Sequence, residues 1–117
     1  MEKVYGDTLL LDFYGQLLTK RQYKIMDLHF NDDYSLGEIA LELNISRQGV
    51  YDSVKRSRGT LNRMEEKLGL VNKFTRQRAK AIELLDKIKI LNKSNMSTED
   101  IEILSFIEKG ILQIIEG

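Results

Sequence analysis

The stretch YSLGEIALELNISRQGVYDSVKRSR, Tyr34–Arg58, contains two short helical patterns placed back to back. Ser35 and Glu38 have the S-x-x-E spacing of a capping box, which marks the start of a helix. The apolar residues that follow recur at the spacing of one helix face: Leu36, Ile39, Ala40 and Leu43. Asn44 accepts the left-handed backbone conformation that ends a helix, and Ser46 can cap the next one. The stretch therefore predicts a helix, a short turn and a second helix.

This order of elements is typical of a helix-turn-helix motif, in which the start of the second helix enters a groove of DNA. The small side chain of Ala40 allows the two helices to cross closely, and Ile45 can fill the junction after the turn. Val50 and Val54 then point inward with Ile39 and Leu43. The outward side is the predicted DNA-binding face, which consists of Ser46, Arg47, Gln48, Tyr51, Asp52, Lys55, Arg56 and Arg58.

Each residue type on this predicted face suits a contact with duplex DNA. Ser46 and the free N–H groups of the helix start can hold a phosphate, and the four basic side chains can neutralise backbone charge. Gln48 can read adenine, and the Tyr51 ring can contact a thymine methyl group or a phosphate. Asp52 either accepts a hydrogen bond from a cytosine amino group or pairs with Lys55 or Arg56 on the helix surface.

Helical periodicity also extends through the rest of the chain, which lacks proline. It predicts a first helix over Thr8–Leu18, a second after a Thr19–Gln22 capping box, a fifth over Val71–Asn92 and a last one from Ser97 or Thr98, with bends possible at Gly59 and Gly110. The inward stripes that we predict for these helices are Leu10, Phe13, Tyr14 and Leu17; Tyr23, Met26 and Phe30; Val50, Val54, Leu61 and Leu68; Ala81, Leu84, Leu85, Ile88 and Leu91; and Ile101, Leu104, Ile107, Ile111, Ile114 and Ile115.

The predicted fold is all-α with about six helices. Residues 1–70 form the helix-turn-helix region and residues 71–117 a C-terminal helical region, within one compact domain.

The charge of the chain is balanced in total but segregated along its length, with 18 Lys and Arg against 18 Asp and Glu. Residues 46–64 hold five basic side chains and a single acidic one, whereas both ends of the chain are acidic. A local positive potential attracts polyanions even when the net charge is zero. Such a face is also compatible with simple solvation, and the later basic residues Lys73, Arg76, Arg78 and Lys80 suit either a solvated face or additional backbone contacts.

Several functional classes are disfavoured by the composition. The chain has no Cys and only one His, His29, so we expect no metal site, no cofactor and no cysteine chemistry, and we read His29 as structural. The Asp32–Asp33 pair is predicted to be a solvated loop, because no catalytic partner accompanies it. We therefore do not expect an enzyme. The N-terminal MEKVYGD lacks the features of a signal peptide and no apolar run suits a membrane helix, so we expect a cytoplasmic protein without membrane insertion.

The last predicted helix carries more apolar residues than one small core would cover. Ile103, Phe106 and Leu112 lie outside its main apolar stripe. Pairing about a two-fold axis is the commonest way to bury such a surface. We therefore predict a homodimer formed through the C-terminal helices.

The segment LLTKRQYKIMDLHFNDDYSLGEIALELNISRQGVYDSVKR resembles the YlxM family of small bacterial helix-turn-helix proteins, over residues 8 to 70. The phrases DYSLGEIA and SRQGVYD carry most of the likeness, and their arrangement is also similar to region four of sigma factors. The resemblance implies an all-helical, dimeric, cytoplasmic protein with a regulatory role. It also implies a connection with the signal recognition particle pathway.

Two hypotheses follow for the function. In the first, the protein is a regulator that binds double-stranded DNA through the helix after the turn. In the second, the same sigma-like fold is an interaction module for a protein of the targeting or transcription machinery, which would suit the acidic ends and the zero net charge. Salt dependence separates the two, because neutralisation of phosphates makes affinity fall steeply with salt concentration.

Overall fold

The computed structural model describes residues 6–117, which are almost entirely helical. Residues 1–5, which include most of the N-terminal sequence considered for a signal peptide, lie outside the described residues. The helices are α1 (Asp7–Tyr14), α2 (Lys20–Phe30), α3 (Leu36–Leu43), α4 (Arg47–Leu68), α5 (Leu70–Lys89) and α6 (Thr98–Glu116), and a 3₁₀ turn at Gly15–Leu17 follows α1. Over residues 6–117 no strand occurs, so the prediction of an all-α fold with a helix-turn-helix and two C-terminal helices is confirmed.

Three helices begin at capping hydrogen bonds that the sequence predicted. Thr19 and Gln22 form a reciprocal capping box at α2, with distances of 3.1 and 3.0 Å between side-chain oxygen and backbone nitrogen. Ser35 and Glu38 do the same at α3, and the Ser97 hydroxyl accepts from the Asp100 N–H at the start of α6. Each capped end satisfies backbone N–H groups that have no partner inside their helix. These three predicted starts are confirmed.

Some predicted boundaries differ from the structure. The first helix ends at Tyr14 rather than Leu18, and α5 ends at Lys89 rather than Asn92. Neither of the predicted bends interrupts a helix, since α4 continues through Gly59 and α6 through Gly110. None of the helices over residues 6–117 has the length and apolar character that crossing a lipid bilayer requires.

Contacts divide the chain into two compact units, residues 1–72 and residues 73–117, and α5 contributes to both. The first unit packs α1, α2 and α3 against α4. Its buried apolar residues are Leu10, Leu11, Tyr14, Leu18, Ile25, Met26, Leu28, Ile39, Ala40, Val50, Val54, Leu61 and Val71. Because α4 supplies a buried side chain on successive turns, it is the central helix of this unit.

The 3₁₀ turn changes which residues of the first helical segment face the core. Leu17, predicted to point inward, is 58% exposed, and Leu11 is buried in its place. The α-helical period stops at Tyr14, so a stripe extrapolated beyond that residue points in the wrong direction. Tyr23 was also predicted to face inward but is largely exposed, with its ring against the buried Gly15. A Cβ atom at Gly15 would lie 2.7 Å from Tyr23 Cε2, so this close approach requires glycine.

The second unit contains a small core around Ala81, Leu85 and Ile111, with Ile88 and Ile115 packed against it. Leu104 is also buried, as predicted, whereas five other apolar residues that we predicted to face inward here are exposed: Leu84, Leu91, Ile101, Ile107 and Ile114. Leu68, at the end of α4, is likewise exposed. Periodicity identified the apolar side of these helices correctly but overestimated how much of it this unit covers.

Polar contacts also occur in the second unit, and the bond of Arg78 joins α5 to α6. Arg78 Nε donates to the carbonyl oxygen of Ile115 near the end of α6, at 3.1 Å. Lys93 lies 3.3 Å from Glu108, and Lys80 lies 3.5 Å from Glu83. Two members of the later basic run, Lys80 and Arg78, thus have partners within their own unit.

A polar cluster under the start of α5 connects three helices of the first unit. The Tyr14 hydroxyl donates to Glu65 Oε1 at 2.6 Å and accepts from the Leu70 N–H. The two carboxylate oxygens of Glu65 also accept from the N–H groups of Val71 and Asn72, at 3.0 and 2.9 Å. Gly69, at φ 62°, makes the sharp turn that brings these N–H groups back to Glu65. No local sequence pattern indicated this cluster.

Opposing effects act on the ionisation of Glu65. Burial alone would raise the pKa of its carboxyl, but the hydrogen bonds from Tyr14, Asn72 and Val71 outweigh burial and lower the pKa below 4.5. Burial, and then the bond to Glu65, raise the pKa of Tyr14. A folded-state pKa below the ordinary value means that ionised Glu65 stabilises the fold above that ordinary value. This stability is lost as the pH falls through the folded-state pKa.

We therefore predict that Glu65→Gln lowers the free energy of unfolding at neutral pH by roughly 1–3 kcal/mol, the cost of weakening hydrogen bonds to a partly buried charged acceptor. Urea unfolding should show this loss, and the difference from the wild-type protein should shrink as the pH falls below 4.5. Glu66→Gln is the matched control, because Glu66 is its exposed neighbour. Equal stability of the two variants at neutral pH would contradict the prediction.

Candidate nucleic-acid interface

Three consecutive residues form the turn between α3 and α4: Asn44, Ile45 and Ser46. Asn44 has φ 56° and ψ 48°, the left-handed conformation that the sequence predicted. The N–H of Ile45 then donates to the carbonyl oxygen of Ala40 at 3.0 Å, and the N–H of Asn44 donates to the carbonyl oxygen of Leu41 at 3.4 Å. This pair of bonds is a Schellman motif, which satisfies the last carbonyl groups of α3. The turn directs the chain straight into the cap of α4.

Ser46 caps α4 as predicted, its hydroxyl accepting from the N–H of Gly49 at 2.9 Å. From this start, Val50, Val54 and Leu61 lie in the core, with Val50 completely buried. Ser57 is also fully buried on this face, which the sequence did not predict. Its position seven residues after Val50 is the periodic signal that could have indicated it.

The opposite side of α4 faces solvent. All eight residues of the predicted DNA-binding face are exposed: Ser46, Arg47, Gln48, Tyr51, Asp52, Lys55, Arg56 and Arg58. The Tyr51 side chain is 50% exposed, which leaves much of its ring accessible. The structure therefore brings these residues to one surface of the first unit.

Two glycines allow arginine side chains to lie close to a helix backbone. The Arg47 guanidinium folds back over Gly37 in α3, where an added Cβ would lie 3.1 Å from Nη2. The Arg63 guanidinium folds back over Gly59 in α4, where an added Cβ would lie 3.2 Å from Nη1. Arg63 was not among the residues of the predicted DNA-binding face, although it follows Arg56 by seven residues and so lies on the same side of the helix.

Gln48 and Asp52 are linked on the exposed face, since Gln48 Nε2 donates to Asp52 Oδ1 at 3.0 Å. Among the described residues Asp52 forms no ion pair with Lys55 or Arg56, one of the two roles considered for it. The bond leaves Gln48 Oε1 and one amide hydrogen unused. Gln48 therefore keeps one acceptor and one donor for a further contact.

Over residues 6–117, Arg58 differs from the other basic residues of the predicted DNA-binding face because its charge has an ion-pair partner. Its Nε and Nη2 atoms donate to the two carboxylate oxygens of Asp7, both at 3.0 Å. The guanidinium also lies 5.1 Å from the centre of the Phe30 ring. Since the Arg58 side chain is 47% exposed, solvent screens this pair and its contribution to stability is small. The pair has a larger effect on the charge of the surface, because it neutralises Arg58, one of the side chains predicted to contact phosphate.

The remaining polar residues near this surface fit structural roles. His29 Nδ1 lies 2.7 Å from the carbonyl oxygen of Tyr34, a distance at which a protonated Nδ1 donates to that oxygen. This bond joins the end of α2 to the segment before α3. Asp33, at φ 59°, lies in the exposed connection between these helices. The bond is consistent with the predicted structural role of His29, and the exposure of Asp32 and Asp33 is consistent with the predicted solvated loop.

Known proteins are similar in sequence to this chain over nearly its whole length. The UPF0122 family model, described as "Putative helix-turn-helix protein, YlxM / p13 like", matches residues 1–103. A UPF0122 protein of Acetivibrio thermocellus is 62% identical over 117 residues, covering 100% of both chains. The UPF0122 protein YlxM of Bacillus subtilis is 44% identical over 108 residues, covering 92% of this chain and 93% of its own. A UPF0122 protein of Listeria innocua is 43% identical over 101 residues, covering 86% and 89%.

The Asp7–Arg58 pair yields a prediction about the charge of this face. Asp7→Asn removes the carboxylate that holds Arg58, so one more cation becomes available to a polyanion. We expect the variant to elute from immobilised heparin at higher salt than the wild-type protein. Asp12→Asn is the control, since it removes an exposed charge of the same helix. Equal shifts for the two variants would show that only net charge matters, and would contradict a specific role for the pair.

Proposed function

The chain belongs to the UPF0122 family of YlxM / p13-like helix-turn-helix proteins, and from this premise we propose that it binds double-stranded DNA through α3, the turn and the start of α4. One observation carries the proposal. Val50 and Val54 are buried while Gln48, Tyr51 and Lys55 are exposed, so the motif presents its polar side to solvent. We propose a binding role for this surface rather than a catalytic one.

In the proposed complex the first turns of α4 enter the major groove. Arg47, Gln48 and Tyr51 lie on these turns, where side chains of a recognition helix contact base edges. The remaining acceptor and donor of Gln48 match the N6 amino group and N7 atom of adenine. Its bond to Asp52 holds the amide in one orientation, which favours a paired contact with one base.

Phosphate contacts in the proposed complex come from the ends of the motif and from the basic side chains. The N–H groups at the start of α4 are not all used by the Ser46 cap, and a helix start favours negative charge. Lys55 and Arg56 lie two to three turns further along, on the exposed side. Contacts of this kind position the protein on the duplex and make its affinity depend on salt.

The proposal is tested by fluorescence anisotropy against a pool of randomised duplexes at several salt concentrations. We expect the logarithm of the affinity to fall linearly with that of the salt concentration. Lys55→Gln should reduce the slope by about 0.9, the value for one phosphate contact on duplex DNA. Lys109→Gln, which removes an exposed lysine of α6, is the control that should leave the slope unchanged.

Failure of the wild-type protein to bind any duplex, or a response independent of salt, would overturn this proposal. The alternative is then a sigma-like interaction module that binds a protein of the targeting or transcription machinery. The Asp52 carboxylate in the middle of the exposed face favours this alternative, because a surface that binds phosphates along its whole length gains nothing from an acid.

We further propose that the protein is a homodimer formed through its second unit. The exposed apolar residues of α6 support this, above all Phe106, whose side chain is 79% exposed, together with Ile103 and Ile114. A dimer would present two copies of α4, for half-sites separated by about one turn of DNA, roughly 34 Å.

Sedimentation velocity tests the dimer at micromolar concentration. We expect a dimer for the wild-type chain and a shift toward monomer for Phe106→Glu, which places a charge in the proposed apolar contact. Leu41→Glu is a suitable control, because Leu41 is equally prominent on the surface but belongs to α3 in the first unit. A monomeric wild-type protein would remove the dimer and leave the DNA-binding surface intact.

The regulatory role that we propose rests on the family resemblance. It concerns genes of the signal recognition particle pathway and requires a cytoplasmic protein with access to the chromosome. Transcript measurements in cells without this protein test the role, because a change confined to genes outside that pathway would contradict it.

A further inference from the structure

A second polar surface lies along the middle and the C-terminal half of α4, beyond the turns that we assign to base contacts. It is an open cleft of about 650 Å³ between α4 and the start of α2. The residues that line it are Gln22, Asp52, Lys55, Arg56, Gly59, Thr60 and Arg63. Four of these, Gln22, Gly59, Thr60 and Arg63, were outside the site predicted from the sequence.

The position of the Arg63 charge depends on the residue one turn before it. Side chains on a helix lean toward its N-terminus, so the guanidinium of Arg63 lies over Gly59. Its Nη2 donates to the Thr60 hydroxyl at 3.2 Å, and that hydroxyl donates to the carbonyl oxygen of Arg56. The absence of a side chain at Gly59 thus leaves room for the Arg63 guanidinium in the cleft that Lys55 and Arg56 also line.

The charge of the cleft is positive, and its hydrogen-bonding groups are mainly donors. Three cations face one carboxylate, that of Asp52, which already accepts a bond from Gln48. Gln22 uses its Oε1 atom to accept from the Thr19 N–H, which leaves its amide N–H groups to donate. Over the described residues, none of the three cations forms an ion pair, in contrast to Arg58.

The shape of the cleft favours an extended ligand over a small one. The cleft is open to solvent, and its α4 residues run from Asp52 to Arg63, eleven positions or about 16 Å along the helix axis. A single bound phosphate could not meet both ends of such a surface. The phosphates of a duplex lie on both edges of the major groove, which is about 12 Å wide. When the start of a helix lies among the bases, the later turns of that helix reach an edge of the groove, where the phosphates lie.

We propose that this cleft binds the phosphodiester backbone at the edge of the major groove, as an anchor independent of base sequence. This inference rests on the proposed binding of duplex DNA. Arg63, Lys55 and Arg56 supply the charge, Gln22 supplies a neutral donor, and Gly59 leaves room for the Arg63 guanidinium to lie on the floor of the cleft. The cleft adds affinity for any duplex, whereas Gln48 and Tyr51 select among sequences.

The first test removes the charge of Arg63 in the full chain. We expect Arg63→Gln to weaken binding several-fold at low salt, equally for every duplex sequence, and to reduce the salt slope by about 0.9. Lys67→Gln is the matched control, because Lys67 is an exposed basic residue of α4 that does not line the cleft. The control should bind like the wild-type protein.

The second test keeps every charge and changes the floor of the cleft. Gly59→Leu places a side chain where the Arg63 guanidinium lies, so it should lower the affinity although the net charge is unchanged. Circular dichroism and thermal unfolding should show that both variants keep the helical fold, since residues 59 and 63 lie outside the core.

The outcomes separate this inference from the proposed function. If the wild-type protein binds duplexes with a steep salt slope but Arg63→Gln behaves like Lys67→Gln, the anchor is wrong and DNA binding stands. The same conclusion follows if Gly59→Leu binds as tightly as the wild-type protein. If the wild-type protein binds no duplex, the proposed function and the anchor are both overturned.

Discussion

The left-handed backbone at Asn44 is the constraint on which the arrangement of α3 and α4 depends. It ends α3 and allows the N–H of Ile45 to reach the carbonyl of Ala40, so the chain turns without leaving buried backbone groups unpaired. Ser46 then begins α4 at a fixed rotation about the helix axis. Helical geometry does the rest, because a helix that buries Val50 and Val54 must expose Tyr51 and Lys55.

The surface of α4 shows how a chain of zero net charge can present separate electrostatic regions. Arg58 is paired with Asp7 and lies over Phe30, so its charge is largely compensated. Over residues 6–117, Arg56 and Arg63 have no carboxylate partner, and the Asp52 carboxylate accepts from Gln48 rather than from a cation. Which basic residues can act on a polyanion is thus set by their neighbours in space.

Sequence patterns predicted the helices and caps well and the burial less well. The Thr19, Ser35, Ser46 and Ser97 caps are local, since each involves a residue only three positions away. Leu17 was misplaced because the 3₁₀ turn breaks the helical period that the stripe assumed. Leu84 and Ile107 were misplaced because periodicity identifies an apolar side but not how much of it another helix covers.

By itself, the sequence determined the six helices, the left-handed turn at Asn44 and the exposed polar side of α4, because all of these follow from residues within a few positions of each other. Only the tertiary structure decided the partners of Arg58 and Glu65, which lie 51 positions from Asp7 and Tyr14 along the chain. The cleft between α2 and α4 was also decided only by the tertiary structure, because its residues come from two helices. Such contacts depend on how the helices pack, and no local pattern specifies which distant side chains will meet.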